Sequence, residues 1–167
     1  MNIFQRVRVP LEQAAVWRAL NDPKILRQCM PGCETFERTA DDTFEFKLTA
    51  KIGPVKAKFS GDLKLSEINS PNSYVINGEG KGGIAGFGKG SAAVNLLAEG
   101  ADTIIIYRVE ARVGGKLAQI GSRLVRGAAK KMAEEFFSEF VRIACGNASV
   151  NVEIESLDDK EFANQVE

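Results

Sequence analysis

The stretch GGKLAQIGSRLVRGAAKKMAEEFFSEFVRIA, residues 114–144, is the key to the architecture. It holds no proline, and its apolar residues recur every three to four positions, the spacing of one helix face. Leu117, Ile120, Leu124, Ala128, Met132, Phe136, Phe140 and Ala144 form the row. A continuous helix over Gly114 to Ala144 would be roughly 45 Å long at ~1.5 Å per residue. That is long for a small domain, so the rest of the chain is expected to wrap it. From Leu124 onward the spacing is a steady four, which turns the apolar row by ~40° at each step. A twisted, curved sheet can follow such a winding stripe; a flat partner cannot. Lys116, Arg123, Arg126 and Lys130 fall opposite its first half.

Gly121, Gly127, Ala128 and Ala129 sit in the N-terminal half of this stretch. Glycine inside a helix costs ~1 kcal/mol relative to alanine. Two readings offset that cost: close approach of helix to sheet, or missing volume where a ligand needs room. The second half, with Met132, Phe136, Phe137 and Phe140, reads as filled core.

Working back toward the N-terminus, the period is two. Thr103 to Val113 places Ile105, Tyr107, Val109, Ala111 and Val113 on one face, with Arg108, Glu110 and Arg112 on the other. Gly90 to Leu97, Tyr74 to Gly80, Val55 to Ile68, Thr43 to Lys51 and Glu34 to Thr39 read as further strands, parted by turn residues. Such alternation describes an antiparallel sheet with one covered face. Asn2 to Val9 is a first strand. A short helix follows over Leu11 to Leu20, and a second is opened by the cap Asp22 and Pro23. The expected class is α+β: a curved antiparallel sheet of about seven strands around a long C-terminal helix, with two short helices after the first strand. Residues 1–147 form this domain, and residues 148–167 are an acidic tail expected to be mobile, with an edge strand over Val150, Val152 and Ile154 as the alternative.

The composition narrows the function. The chain has 167 residues, enough for one domain with a real core. Formal net charge is zero, so no basic excess points to nucleic acid. No apolar run approaches the ~20 residues of a membrane helix, and the N-terminus has no signal-peptide core, so a cytoplasmic location is expected. Histidine is absent, which removes the commonest general base and metal ligand. Cys29, Cys33 and Cys145 are too few for a disulfide scaffold, and without histidine a zinc site is not expected.

Gly78, Gly80 and Gly83 match the spacing GxGxxG, but strands flank the segment on both sides, where a dinucleotide site needs a following helix. The near P-loop over Gly83 to Lys89 has Gly90 where a magnesium-binding Ser or Thr belongs. The segment is a hairpin link or a functional loop. Ile84 and Phe87, apolar and flanked by Lys81 and Lys89, suit a pocket lid, a docking surface or contact with a lipid headgroup layer.

Four stretches carry a resemblance: VPLEQAAVWRALNDPKILRQCMPGCE, IGPVKAKFSGDLKL, PNSYVINGEGKGGIAGFGKGSA and VGGKLAQIGSRLVRGAAKKMAEEFF. In this order, over about residues 3 to 142, they resemble the carbon monoxide dehydrogenase CoxG family of the START/Bet v 1-like (SRPBCC) superfamily. The resemblance implies a helix-grip fold and a non-catalytic accessory role beside a molybdenum hydroxylase. It also implies a hydrophobic ligand such as a quinone or lipid, no resident cofactor, and peripheral contact at the inner face of the cytoplasmic membrane. Longer members carry a membrane-attaching extension, where this chain has its short acidic tail. The expected ligand site lies between sheet and helix at Phe46, Phe59, Phe87, Tyr107, Leu117, Gly121, Leu124 and Ala128. The alternatives are a small enzyme of the polyketide cyclase type and a docking adaptor with a dry core.

Overall fold

The computed structural model describes residues 1–146 and 152–166. Its elements run β1 (Asn2–Val9), α1 (Gln13–Leu20), α2 (Pro23–Cys29), β2 (Cys33–Ala40), β3 (Thr43–Ile52), β4 (Val55–Asn69) and β5 (Ser73–Lys81). After a single 3-10 turn, Gly83–Ala85, come β6 (Phe87–Glu99), β7 (Asp102–Gly114), α3 (Lys116–Gln119), α4 (Ser122–Cys145), β8 (Ile154–Ser156) and α5 (Asp159–Val166). Among the described residues eight strands form one antiparallel sheet in the order β2-β3-β4-β5-β6-β7-β1-β8, one more than the sequence pattern predicts. This is the expected helix grip: the concave face of the sheet encloses α4, and α2 packs on that helix.

The curvature is written into the strands. Register aligns Phe46, Gly61, Gly80, Gly88 and Val113 across β3 to β7 on the concave face. The adjacent row is Phe44, Leu63, Gly78, Gly90 and Ala111. A Cβ at Gly61 would fall on the carbonyl oxygen of Glu79, and one at Gly90 on that of Glu110. Only glycine permits neighbouring strands to close up so tightly on the inside of a bend.

The long helix is shorter than its periodicity predicts. Gly121 has φ +96° and caps α4 from outside, so the apolar run is split into one turn, α3, and the 24-residue helix α4, about 36 Å long. That break rotates the buried face. Val125, Phe137, Phe140 and Val141 are buried, whereas Leu124, placed on the inward row by spacing, is 47% exposed beside the β3–β4 turn at Gly53.

The tail also differs from expectation. Val150 and the 147/148 boundary lie outside the described residues, but residues 154–166 pack on the convex face. β8 pairs with β1 from Gln5 to Val7. Leu157 and Phe162 are buried against Ile104 and Ile106, with Phe4 beside them. A capping box closes the start of α5: Asp158 Oδ1 accepts from the Glu161 N–H at 2.8 Å, and Glu161 Oε2 accepts from the Asp158 N–H at 2.8 Å. Leu157 just before the cap and Phe162 one turn on meet as a hydrophobic staple. Phe162→Ala should therefore lower stability by about 3 kcal/mol. A urea melt with an unchanged midpoint would show that the tail contributes no packing.

Candidate functional site

Between sheet and α4 lies an apolar cavity of about 280 Å³. Met132, Ala133, Phe136 and Phe137 of α4 form one wall. Phe44, Leu63, Leu65, Tyr74, Ile76, Ala92, Val94, Ile105 and Tyr107 from β3 to β7 form the other. Leu20, Leu26, Met30 and Phe36 close the side where α1, α2 and β2 meet. The aromatic walls brace one another: Tyr107 stacks on Phe137 at 5.6 Å, and Phe136 meets Phe137 edge-on at 5.1 Å. Small side chains make the space. Ala92 stands between Ile76 and Val109 in register, and Ala133 stands among the larger residues of α4.

In this lining the polar side-chain groups are two tyrosine hydroxyls. Tyr107 donates to Gln5 Oε1 at 2.7 Å, a buried bond. The Tyr74 hydroxyl has no hydrogen-bond partner among the described residues, although the residue is buried and packs edge-on against Trp17. Burial pushes both phenols well above their ordinary range, and Glu134 adds to the effect at Tyr107. They are neutral donors at physiological pH. Outside the cavity, burial pushes the Cys29 thiol up to about 12, with Glu139 adding to it, and burial also raises Cys33 and Cys145. All three thiols are free and protonated near neutrality. The cavity can therefore hold an apolar molecule and donate a hydrogen bond to it, and its lining offers no group that takes up a proton near pH 7.

Of the residues expected at the site, Tyr107 lines this cavity. Phe59 and Leu117 lie in a second buried cluster with Leu48, Ala50 and Ala85, toward the other end of the sheet, and Phe46 packs on its edge over Gly80. Phe87 points to the convex side, against Gly114, and is 39% exposed. Gly121 stands at the break before α4, with no atom within 4 Å of where its Cβ would be. Leu124 is exposed, and Ala128 is half-buried outside the lining. The hollow adjoins the second half of the helix, which the periodicity assigns to filled core. A periodic row shows which side faces inward but not how far the opposite sheet stands off. The signal available was the pair of small residues, Ala92 and Ala133, facing two inward tyrosines.

The chain has two tyrosines, and both line the cavity. A folded-state phenol pKa above the ordinary 10.0 means that stability is intact below pH 10 and falls as pH rises above it, by ~1.4 kcal/mol per pH unit per tyrosine. In an alkaline titration, tyrosinate absorbance should appear together with loss of the helical dichroism. Ionisation of both phenols near pH 10 in a chain still folded would contradict their burial.

No curated protein sequence matches the chain. A conserved protein of known structure from Geobacillus kaustophilus is 28% identical, with a TM-score of 0.84 over 93% of this chain and 99% of that one. A START superfamily protein from Mycobacterium smegmatis superposes with a TM-score of 0.67 at 12% identity, over 87% of this chain and 97% of that one. The Zhui aromatase/cyclase from Streptomyces sp. R1128 gives 0.61 at 12% identity, over 86% and 93%. At those identities the last two show the fold alone. The sequence itself matches the CoxG family of carbon monoxide dehydrogenase over residues 6–145, which spans β1 to the end of α4. With its helix grip and the hollow between sheet and helix, the chain belongs to the CoxG family.

Proposed function

We propose that this protein is a non-catalytic accessory of a molybdenum hydroxylase of the carbon monoxide dehydrogenase kind. It carries a hydrophobic small molecule, a quinone or a lipid, in the cavity between sheet and α4, and helps bring the enzyme to the membrane. The observation that carries this reading is the lining: apolar throughout except for two neutral tyrosine hydroxyls, in a member of the CoxG family. A volume of about 280 Å³ is at the small end of ligand sites, and suits a ring headgroup rather than a long isoprenoid chain. The free donor at Tyr74 suits a ligand carbonyl. The cyclase reading draws on the fold shared with the aromatase/cyclase, and is weakened by the lack of any carboxylate, histidine or amine in the lining.

The test is binding of a short-chain quinone analogue to purified protein, followed by quenching of Trp17, the chain's one tryptophan, which packs on Tyr74. Ala133→Trp, which fills the hollow, should abolish binding while the protein stays folded; its extra indole is read by displacement of a labelled analogue. Tyr74→Phe should weaken a quinone roughly 3- to 10-fold, the worth of one hydrogen bond, and leave a hydrocarbon of the same size unaffected. Wild-type protein that binds no quinone analogue, or an Ala133→Trp variant that binds like wild type, would refute the carrier reading.

A further inference from the structure

We propose that the end of the sheet carrying the β3–β4 turn, the β5–β6 turn and the start of α4 docks on an anionic lipid bilayer, with Ile84 as its inserted tip. The proposal rests on the reading that the protein works at a membrane, and adds which surface meets it.

Three tips converge at this end. Ala85 and Leu117 are buried in one cluster, which ties the β5–β6 turn to α3. The backbones at Gly86 and Gly115 approach so closely that a Cβ at Gly115 would lie 2.7 Å from the Gly86 Cα. Ile120 and Leu124 lie against Gly53 of the β3–β4 turn. The β5–β6 turn is further closed by Gly82 N–H to Gly86 O at 2.8 Å and Gly86 N–H to Gly83 O at 3.1 Å. On this platform Ile84 is 86% exposed, the most exposed large apolar side chain among the described residues, and Phe87 and Leu124 are exposed nearby. A turn that buries Ala85 yet presents Ile84 to water keeps an apolar group where the fold has no use for it.

Charge selects the partner. Residues 51–58, 81–89 and 112–126 carry three, two and four cationic side chains, nine in all, and no carboxylate. Two of the nine have ion-pair partners among the described residues, Lys58 with Glu34 and Lys81, loosely, with Glu79. The opposite end of the sheet holds Asp41, Asp42, Glu67, Glu99 and Asp102 at or beside its turns. A chain of zero net charge is thus polarised along the strands. An apolar tip ringed by cations complements a surface of anionic headgroups over hydrocarbon, where each cation adds attraction and the side chain gains burial. An acidic protein surface would meet the cations but leave Ile84 without a hydrocarbon layer to enter.

The experiment is co-sedimentation of the full chain with vesicles of phosphatidylcholine alone, or of phosphatidylcholine with phosphatidylglycerol, at low and high salt. Binding should require the anionic lipid and fall at least tenfold on raising the salt. Ile84→Glu should reduce it tenfold or more, and the paired reversal Lys81→Glu with Lys116→Glu should do the same and flatten the salt dependence. Equal binding to both vesicle types, no binding to either, or an Ile84→Glu variant that binds like wild type would overturn the proposal. So would loss of hydroxylase co-purification in Ile84→Glu with no vesicle binding by wild type, which would assign the surface to a protein. The quinone-analogue assay on the same variants separates this from the carrier reading, because Ile84 is outside the cavity lining. Quinone binding without vesicle binding removes the bilayer surface alone, and vesicle binding without quinone binding removes the carrier alone.

Discussion

The close approach of neighbouring strands at Gly61 and Gly90 sets the shape of the whole molecule. Concave-side Cβ atoms there would collide with the carbonyl oxygens of the adjoining strands, so any other residue would force the sheet open. A flatter sheet would lose its grip on α4. The same tight bend also produces the hollow. Where the concave face carries glycine or alanine instead of a branched side chain, sheet and helix cannot fill the space between them, and Leu63, Phe44 and the tyrosines line it instead. Shape and binding capacity thus come from one set of missing side chains.

Most of the architecture was legible because it is periodic. Alternation located the strands, and Asp22 before Pro23 marked the start of α2, where its carboxylate accepts from the Lys24 N–H at 3.0 Å. The reading failed where a single backbone angle decides the matter. Periodicity runs through Gly121 without a break, because a positive φ leaves no trace in the spacing of the leucines on either side. At the tail, composition was weighed above local signals. Asp158 and Glu161 spell a capping box, and Ile104-Ile105-Ile106 is apolar on both faces of its strand, a sign that the outside of β7 is covered as well as the inside. The cavity was the least legible feature, since it depends on distances between elements that lie far apart in the chain.

Net charge and residue counts describe totals, whereas recognition depends on arrangement. The absence of histidine removed the usual acid–base chemistry at the outset, and the cavity agrees with that by holding donors that stay neutral. Zero net charge concealed a polarised molecule, with cations at one set of turns and carboxylates at the other. The two features act at different places: the apolar interior selects what is carried, and the charged end orients the molecule that carries it.

β1 closes the sheet by pairing with β7, Asn2 opposite Glu110, so the first strand synthesised must wait for a partner more than a hundred residues later. At ribosomal speeds of about 5–20 residues per second, that wait is roughly 5–20 s. During it Val7 and Val9, both fully buried in the finished protein, have no sheet to join. The nascent chain therefore carries a sticky N-terminal edge for most of its time on the ribosome. Its yield in a cell will depend on chaperone capacity and on the pace of translation through β4 to β7 more than on the stability of the completed fold.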